Sequence, residues 1–235
     1  MKSFGVLSLL SLVALSIAAP LEARANTVNH DSLFPKPQTV RGGPDGEAMV
    51  RFSPRLRIAN GCQPYPAVDD SGNVSGGVKP GGSSASNCGD PGRAQTYARA
   101  GVVDGQFAIM YSWYMPKDQP RSDTIGAHRH DWENVVVFPD GARQAITRGA
   151  ASGHGQYKIA SSPPTPPTVE YFTNLPTNHE LQWSGDARAV QHAVLDWEVM
   201  PQASRDALQS HDFGSANVPF KDGSFESNVR KAIKG

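Results

Sequence analysis

The chain has 235 residues, in which 22 Lys and Arg balance 22 Asp and Glu, so its formal net charge is zero. Without a basic excess, nothing in the composition calls for a nucleic-acid partner. The length suits one domain that buries a proper core without a set of disulfides or structural metals.

Met1 and Lys2 open the chain, and residues 5–19 are almost wholly apolar. The run is short of the roughly 20 residues that a membrane span needs and suits the core of a signal peptide. Residues 1–19 are therefore expected to be a signal peptide, with cleavage after Ala18 or Ala19, or as late as Ala25, and residues 26–235 a single domain. A secreted chain with the lone pair Cys62 and Cys88 is expected to form one disulfide. On the chain-entropy account such a bond stabilises by about 3–4 kcal/mol. Residues 69–92, most of them between the cysteines, are rich in Gly, Ser, Pro and Asp and read as a tethered surface loop. The loop carries one glycosylation sequon at Asn73.

Strand signals follow. Residues 107–115 are rich in aromatics and stop at Pro116, and residues 132–138 are β-branched and stop at the turn signal Pro139-Asp140-Gly141. Residues 163–167, with four prolines, predict a stiff turn or an extended segment, and residues 169–172 a third strand. Helices are expected late, over 202–210 and over 224–234, the second with Ser224 as N-cap. The fold class is mostly β: an antiparallel β-sandwich with a few peripheral α-helices.

The chemistry concentrates between Asp118 and Glu133. Asp131 and Glu133 are two apart at the start of a strand and share a face, which Val135 and Val137 continue inward. Asp118 sits just past the end of the preceding strand. His128 has the other parity and must reach the same mouth from the loop before the strand. Carboxylates this close repel each other, and a cation would resolve the conflict. Three carboxylates with one imidazole favour Mg2+, Ca2+ or Mn2+ over zinc. Two other readings stay open: an ion-pair network through Arg129, and a zinc site using His128 with His130. His130 shares the parity of Trp132, and both read as structural. Trp183, in a polar stretch, is either core or an exposed aromatic for a membrane interface. Ser210-His211-Asp212 are adjacent, which is not how a catalytic triad is built.

Residues 108–118 (AIMYSWYMPKD) with 128–133 (HRHDWE) are similar to the signature of the necrosis- and ethylene-inducing peptide-like proteins. Residues 61–77 with Cys88 resemble the two-cysteine, type 1 subgroup, and residues 212–225 resemble the family's C-terminal block. The resemblance implies a sandwich like that of actinoporin cytolysins. It also implies a secreted toxin, not an enzyme, that holds Mg2+ or Ca2+ on Asp118, His128, Asp131 and Glu133. Its implied target is glycosylinositol phosphorylceramide of the plant plasma membrane, which it would permeabilise, causing necrosis; Trp183 is the expected lipid contact. The segment 108–133 resembles the family's immunogenic region, so plant immune receptors are possible partners. Where the family has Gly before the histidines this chain has Ala127, with Gly126 one place earlier. Two alternatives remain: a non-lytic headgroup binder or elicitor, and a secreted hydrolase with a zinc-bound water and Glu133 as base.

Overall fold

The computed structural model of the protein describes Met1 and residues 25–174 and 178–235. The expected signal peptide, apart from Met1, lies outside the described residues. In chain order the strands are β1 (Thr27–Val28), β2 (Arg55–Ile58), β3 (Val74–Ser75), β4 (Thr96–Val103), β5 (Gln106–Asp118), β6 (His128–Pro139), β7 (Ile146–Gly153), β8 (Gln156–Ala160), β9 (Thr168–Thr173), β10 (His179–Trp183) and β11 (Val194–Asp196). The helices are α1 (Gly43–Arg51), α2 (Gln202–Ser210) and α3 (Ser224–Lys234).

The frame is a six-stranded sheet in the order β11-β4-β5-β6-β7-β8, faced by a three-stranded sheet, β10-β9-β2. Strands β4 to β8 form antiparallel neighbours, while β11 joins β4, and β2 joins β9, in parallel. Because both faces of β5 are covered, residues 108–118 are all buried, which is why the strand reads as a continuous apolar run and not an alternation. Between the sheets, Ile109, Tyr111 and Trp113 stand opposite Val137, Val135 and Glu133. Close approach of the two sheets depends on glycines. A Cβ on Gly149 would lie 2.3 Å from the Trp183 ring, and one on Gly153 would lie 2.6 Å from the Glu180 carboxylate. On the outer face, α3 lays Phe225 against Gly101, and Tyr97, Trp132, Phe213 and Phe220 form an edge-and-stack aromatic cluster. Cys62 and Cys88 are joined by a disulfide, with Cα atoms 5.0 Å apart.

Four details differ from the sequence reading. β5 runs through Pro116 to Asp118, because proline lacks only the donor. The Pro116 carbonyl still accepts from Val78 N at 2.8 Å, and cross-strand pairing resumes at Lys117–Arg129 and Asp118–His128. β6 begins at His128, so that residue is on the strand and not in the loop before it. Helix α1 was not expected, since glycines and a proline in its sequence are poor helix formers; burial of Ala48 and Met49 against the core sustains it. The N-cap of α3 is Gly223, at φ 80°, and Ser224 is the first helical residue.

Candidate functional site

Asp118, His128, Asp131 and Glu133 line one cavity of about 360 Å3 at the open end of β5 and β6. Their convergence turns on His130, whose φ of 63° lies in the left-handed region that residues other than glycine seldom occupy. This twist in the strand carries His128 to the same cavity as Asp131 despite its opposite parity. The His130 side chain is locked elsewhere: Nδ1 lies 2.6 Å from the Tyr114 hydroxyl, and the ring meets Phe213 edge-on. Burial, with Arg129 nearby, lowers its pKa to about 4. The zinc pairing of His128 with His130 is therefore not formed, because His130 faces the aromatic cluster.

The tautomer of His128 follows from its partners. Nδ1 lies 2.8 Å from the His130 carbonyl, which can only accept, so Nδ1 carries the proton. Nε2 is then the basic nitrogen. It accepts from Asn178 Nδ2 at 3.1 Å and lies 3.7 Å from Asp118 Oδ2.

Each carboxylate is held by a neutral group or a histidine. Asp118 Oδ1 lies 2.6 Å from His179 Nδ1, and Oδ2 accepts from the His179 backbone N–H at 3.3 Å. Tyr171 donates to Asp131 Oδ2 at 2.8 Å, and its ring stacks on His179 at 4.4 Å. Ser152 donates to Glu133 Oε2. Among the described residues no Lys or Arg pairs with any of the three. Arg129 instead bonds the carbonyls of Gly76 and Gly77, so the expected ion-pair alternative does not form. Lys117, fully buried, spends its ammonium on the carbonyls of Gly81 and Ser83 and on Gln119.

Negative charge thus accumulates without a counter-charge. Burial, then the Asp118 charge, raises the Asp131 pKa from 3.8 to about 6. Burial, then Asp131, raises Glu133 well above the usual carboxylate range. With their oxygens turned onto Tyr171, Ser152 and His179, no three His, Cys, Asp or Glu groups among the described residues converge as a ready coordination shell. The donor set nonetheless suits a hard divalent cation: three carboxylates and one basic imidazole nitrogen, all in one cavity.

Sequence reasoning missed His179, Tyr171, Ser152 and Asn178. All four come from strands or loops distant in sequence; only the strand parity of Tyr171 could have marked it as inward. Of the two readings of Trp183, the structure takes the core one. Its half-buried ring packs over Gly149 and beside Pro163 between the sheets, because Gly149 leaves the slot open. It is not an exposed aromatic. The Asn73 amide donates to Asp69 at 2.8 Å and is half-buried.

The chain is similar to known proteins. The family model described as necrosis inducing protein (NPP1) matches residues 46–232. NLP effector protein 10 of Phytophthora capsici is 40% identical over 228 residues, covering 93% of this chain and 96% of that protein. Necrosis-inducing protein NPP1 of Phytophthora nicotianae is 39% identical over 239 residues, 97% of this chain and 98% of that protein. Among solved structures, NLPPya in complex with mannosamine superposes with a TM-score of 0.81 at 45% identity, covering 88% of this chain and 98% of that one. The same protein has been solved in complex with glucosamine, with a TM-score of 0.80. Non-toxic HaNLP3 superposes with a TM-score of 0.80 at 35% identity, over 86% of this chain and 98% of that one.

Proposed function

The chain belongs to the necrosis inducing protein family, and from that premise we propose that it is a secreted cytolysin whose acidic cavity binds a sugar headgroup of a plant plasma-membrane sphingolipid through Mg2+ or Ca2+. The headgroup in question is that of glycosylinositol phosphorylceramide. Permeabilisation of the membrane then causes necrosis and alerts plant immune receptors. The proposal assigns no catalytic step.

One observation carries the reading: three buried carboxylates share a cavity, and among the described residues no Lys or Arg pairs with any of them. Unpaired buried charge is costly and is retained where it binds something. A divalent ion there would supply an electropositive centre able to take neutral sugar hydroxyls as ligands. Asp118, His128 Nε2, Asp131 and Glu133 would hold it. Tyr171, Ser152 and His179 orient the carboxylates, and the His130 carbonyl keeps the proton on His128 Nδ1 so that Nε2 faces the cavity. The amino-sugar complexes of NLPPya support a sugar as the ligand class.

The test is dye release from vesicles with and without the plant sphingolipid, at matched charge. Leakage confined to sphingolipid vesicles and abolished by chelator is expected. Equal leakage from both, or leakage in excess chelator, would overturn the mechanism. A second reading, headgroup binding without lysis, has its own support, because non-toxic HaNLP3 shares this fold and fold alone does not decide toxicity. Metal-dependent vesicle binding without leakage would select it.

A further inference from the structure

Residues 119–127 join β5 to β6, whereas residues 104–105 join β4 to β5 and residues 154–155 join β7 to β8. Hairpin loops usually take about 2–5 residues, so the β5–β6 connection is long. Gln119 and Pro120 are buried, but residues 121–126 are exposed without a break. Ile125 is 75% exposed, more than any other described large apolar side chain except Met1. The hydrogen bonds of this run are local. Gln119 donates to the Arg121 carbonyl at 2.9 Å, Arg121 pairs with Asp123 at 2.8 Å, the Ile125 N–H reaches Asp123 Oδ1 at 3.4 Å, and the Ala127 N–H donates to Thr124 O at 3.1 Å. Among the described residues, none of 121–126 bonds to a group outside 119–127. Other long loops are tied to the body of the fold. The loop before Cys88 is held by Lys117 and Gln119. Residues 140–145 are held by Arg143, which pairs with Asp45 at 2.7 Å, and by Arg51, which donates to the Arg143 carbonyl at 2.9 Å.

We propose that residues 121–126 are a cleavage site for an endoprotease with an apolar specificity pocket, that Ile125 is the side chain this pocket takes, and that a cation on Asp118 and His128 guards the site. The protease hydrolyses one backbone amide: water gives its hydroxyl to the carbonyl carbon and a hydrogen to the departing amine. Nicking concentrates at exposed loop tips, and here only local bonds must open to present an extended strand. The cut leaves Asp118 on one piece and His128, Asp131 and Glu133 on the other. The disulfide lies wholly in the first piece and does not join the two. Three sheet pairings do join them: β5 with β6, β4 with β11, and β2 with β9. The product is therefore two chains in one fold. The guard rests on the cation site proposed above. Asp118 immediately precedes the loop and His128 immediately follows it. An ion shared by the two pins both ends, and an opening that parts them must first lose the ion.

The experiment is limited digestion of the full protein by subtilisin, with and without whichever of Mg2+ and Ca2+ calorimetry shows to bind. Mass spectrometry locates the first cut. That cut is expected within residues 121–126, and the two pieces should leave a sizing column together until urea is added. A charge in place of the apolar anchor, Ile125→Asp, should slow the cut by about tenfold or more. The cation at a hundred times its Kd should slow cutting of the parent by up to about a hundredfold, with the rate on a short peptide as the control. A first cut in any other loop overturns the site, and an unchanged rate in Ile125→Asp overturns the anchor. Pieces that part without urea overturn the two-chain product. A cation that binds in calorimetry and leaves the rate unchanged overturns the guard and leaves the cation site standing. Failure of Mg2+ and Ca2+ alike to bind overturns the cation site and the guard together.

Discussion

His179 grips Asp118 twice, with its ring Nδ1 2.6 Å from one carboxylate oxygen and its backbone N–H 3.3 Å from the other. The two residues are 61 positions apart, so β10 fixes the orientation of a carboxylate that β5 supplies. Outer partners of this kind set ligand orientation, and their loss typically costs about 10–100-fold in metal affinity. His179→Ala is expected to lower Mg2+ or Ca2+ affinity by that factor in calorimetry, with the secondary structure kept. Unchanged affinity in a folded variant would remove Asp118 from the cation site.

Asp131→Asn separates charge from shape. The substitution keeps the acceptor for Tyr171 and deletes one of the crowded charges. Without metal at neutral pH the variant should be more stable than the parent, by about 1–2 kcal/mol, and a divalent cation should no longer raise its melting temperature. A variant that melts lower and still responds to the cation contradicts the site.

The pH dependence has a definite sign. Asp131 binds its proton up to about pH 6 in the folded chain but only to about 3.8 when unfolded. Folding therefore takes up a proton between these values, and stability, full below the lower one, falls as pH rises through the higher. Glu133 acts in the same direction. Melting of the metal-free protein should decline from about pH 4 to about pH 7. The gain in melting temperature on adding cation should be larger at neutral pH than at about pH 5, where protons compete for the same oxygens. A gain independent of pH would show that the cation binds elsewhere.

Gly61 should tolerate no side chain. It has φ 91°, and a Cβ there would lie 2.7 Å from His179 Nε2 and 3.1 Å from the Tyr171 ring. Gly61→Ala is expected to cost about 2–3 kcal/mol and, by displacing the His179–Tyr171 stack, to weaken cation binding as well. Gly141, with nothing within 4 Å of its missing Cβ, is the control, and Gly141→Ala should stay within about 0.5 kcal/mol. Equal effects at the two positions would refute the close approach.

Trp183→Ala tests the revised place of that residue. Loss of a ring packed over Gly149 should destabilise by about 2–4 kcal/mol, visible in urea unfolding, with vesicle binding of the folded fraction kept. Selective loss of membrane binding at full stability would restore a surface role.

Part of this was legible in the sequence, and the limits have physical causes. Asp131 and Glu133 could be placed on one face because the side-chain period of a strand is two. His128 was assigned to the wrong element because that period fails at His130, and a single left-handed residue leaves no trace in a pattern of residue types. The helices α2 and α3 were legible over 202–210 and 224–234, though the cap of α3 is Gly223 and not Ser224, whereas α1 was hidden by its glycines and survives on tertiary contacts. The grips of Tyr171, Ser152 and His179 on the carboxylates span 19 to 61 positions, and a single sequence carries no signal for contacts of that range.

Burial of β5 bears on how a plant could notice this protein. Every residue from 108 to 118 is shielded by strands on either side and by layers above and below. A receptor that reads this stretch as a linear string cannot reach it in the intact fold. It can read only chains that host proteases have cut or that have come apart after delivery. Such surveillance would register toxin debris and not toxin activity. On the function proposed above, a variant that lost lysis through one cavity substitution would keep the same buried stretch and stay as visible as before.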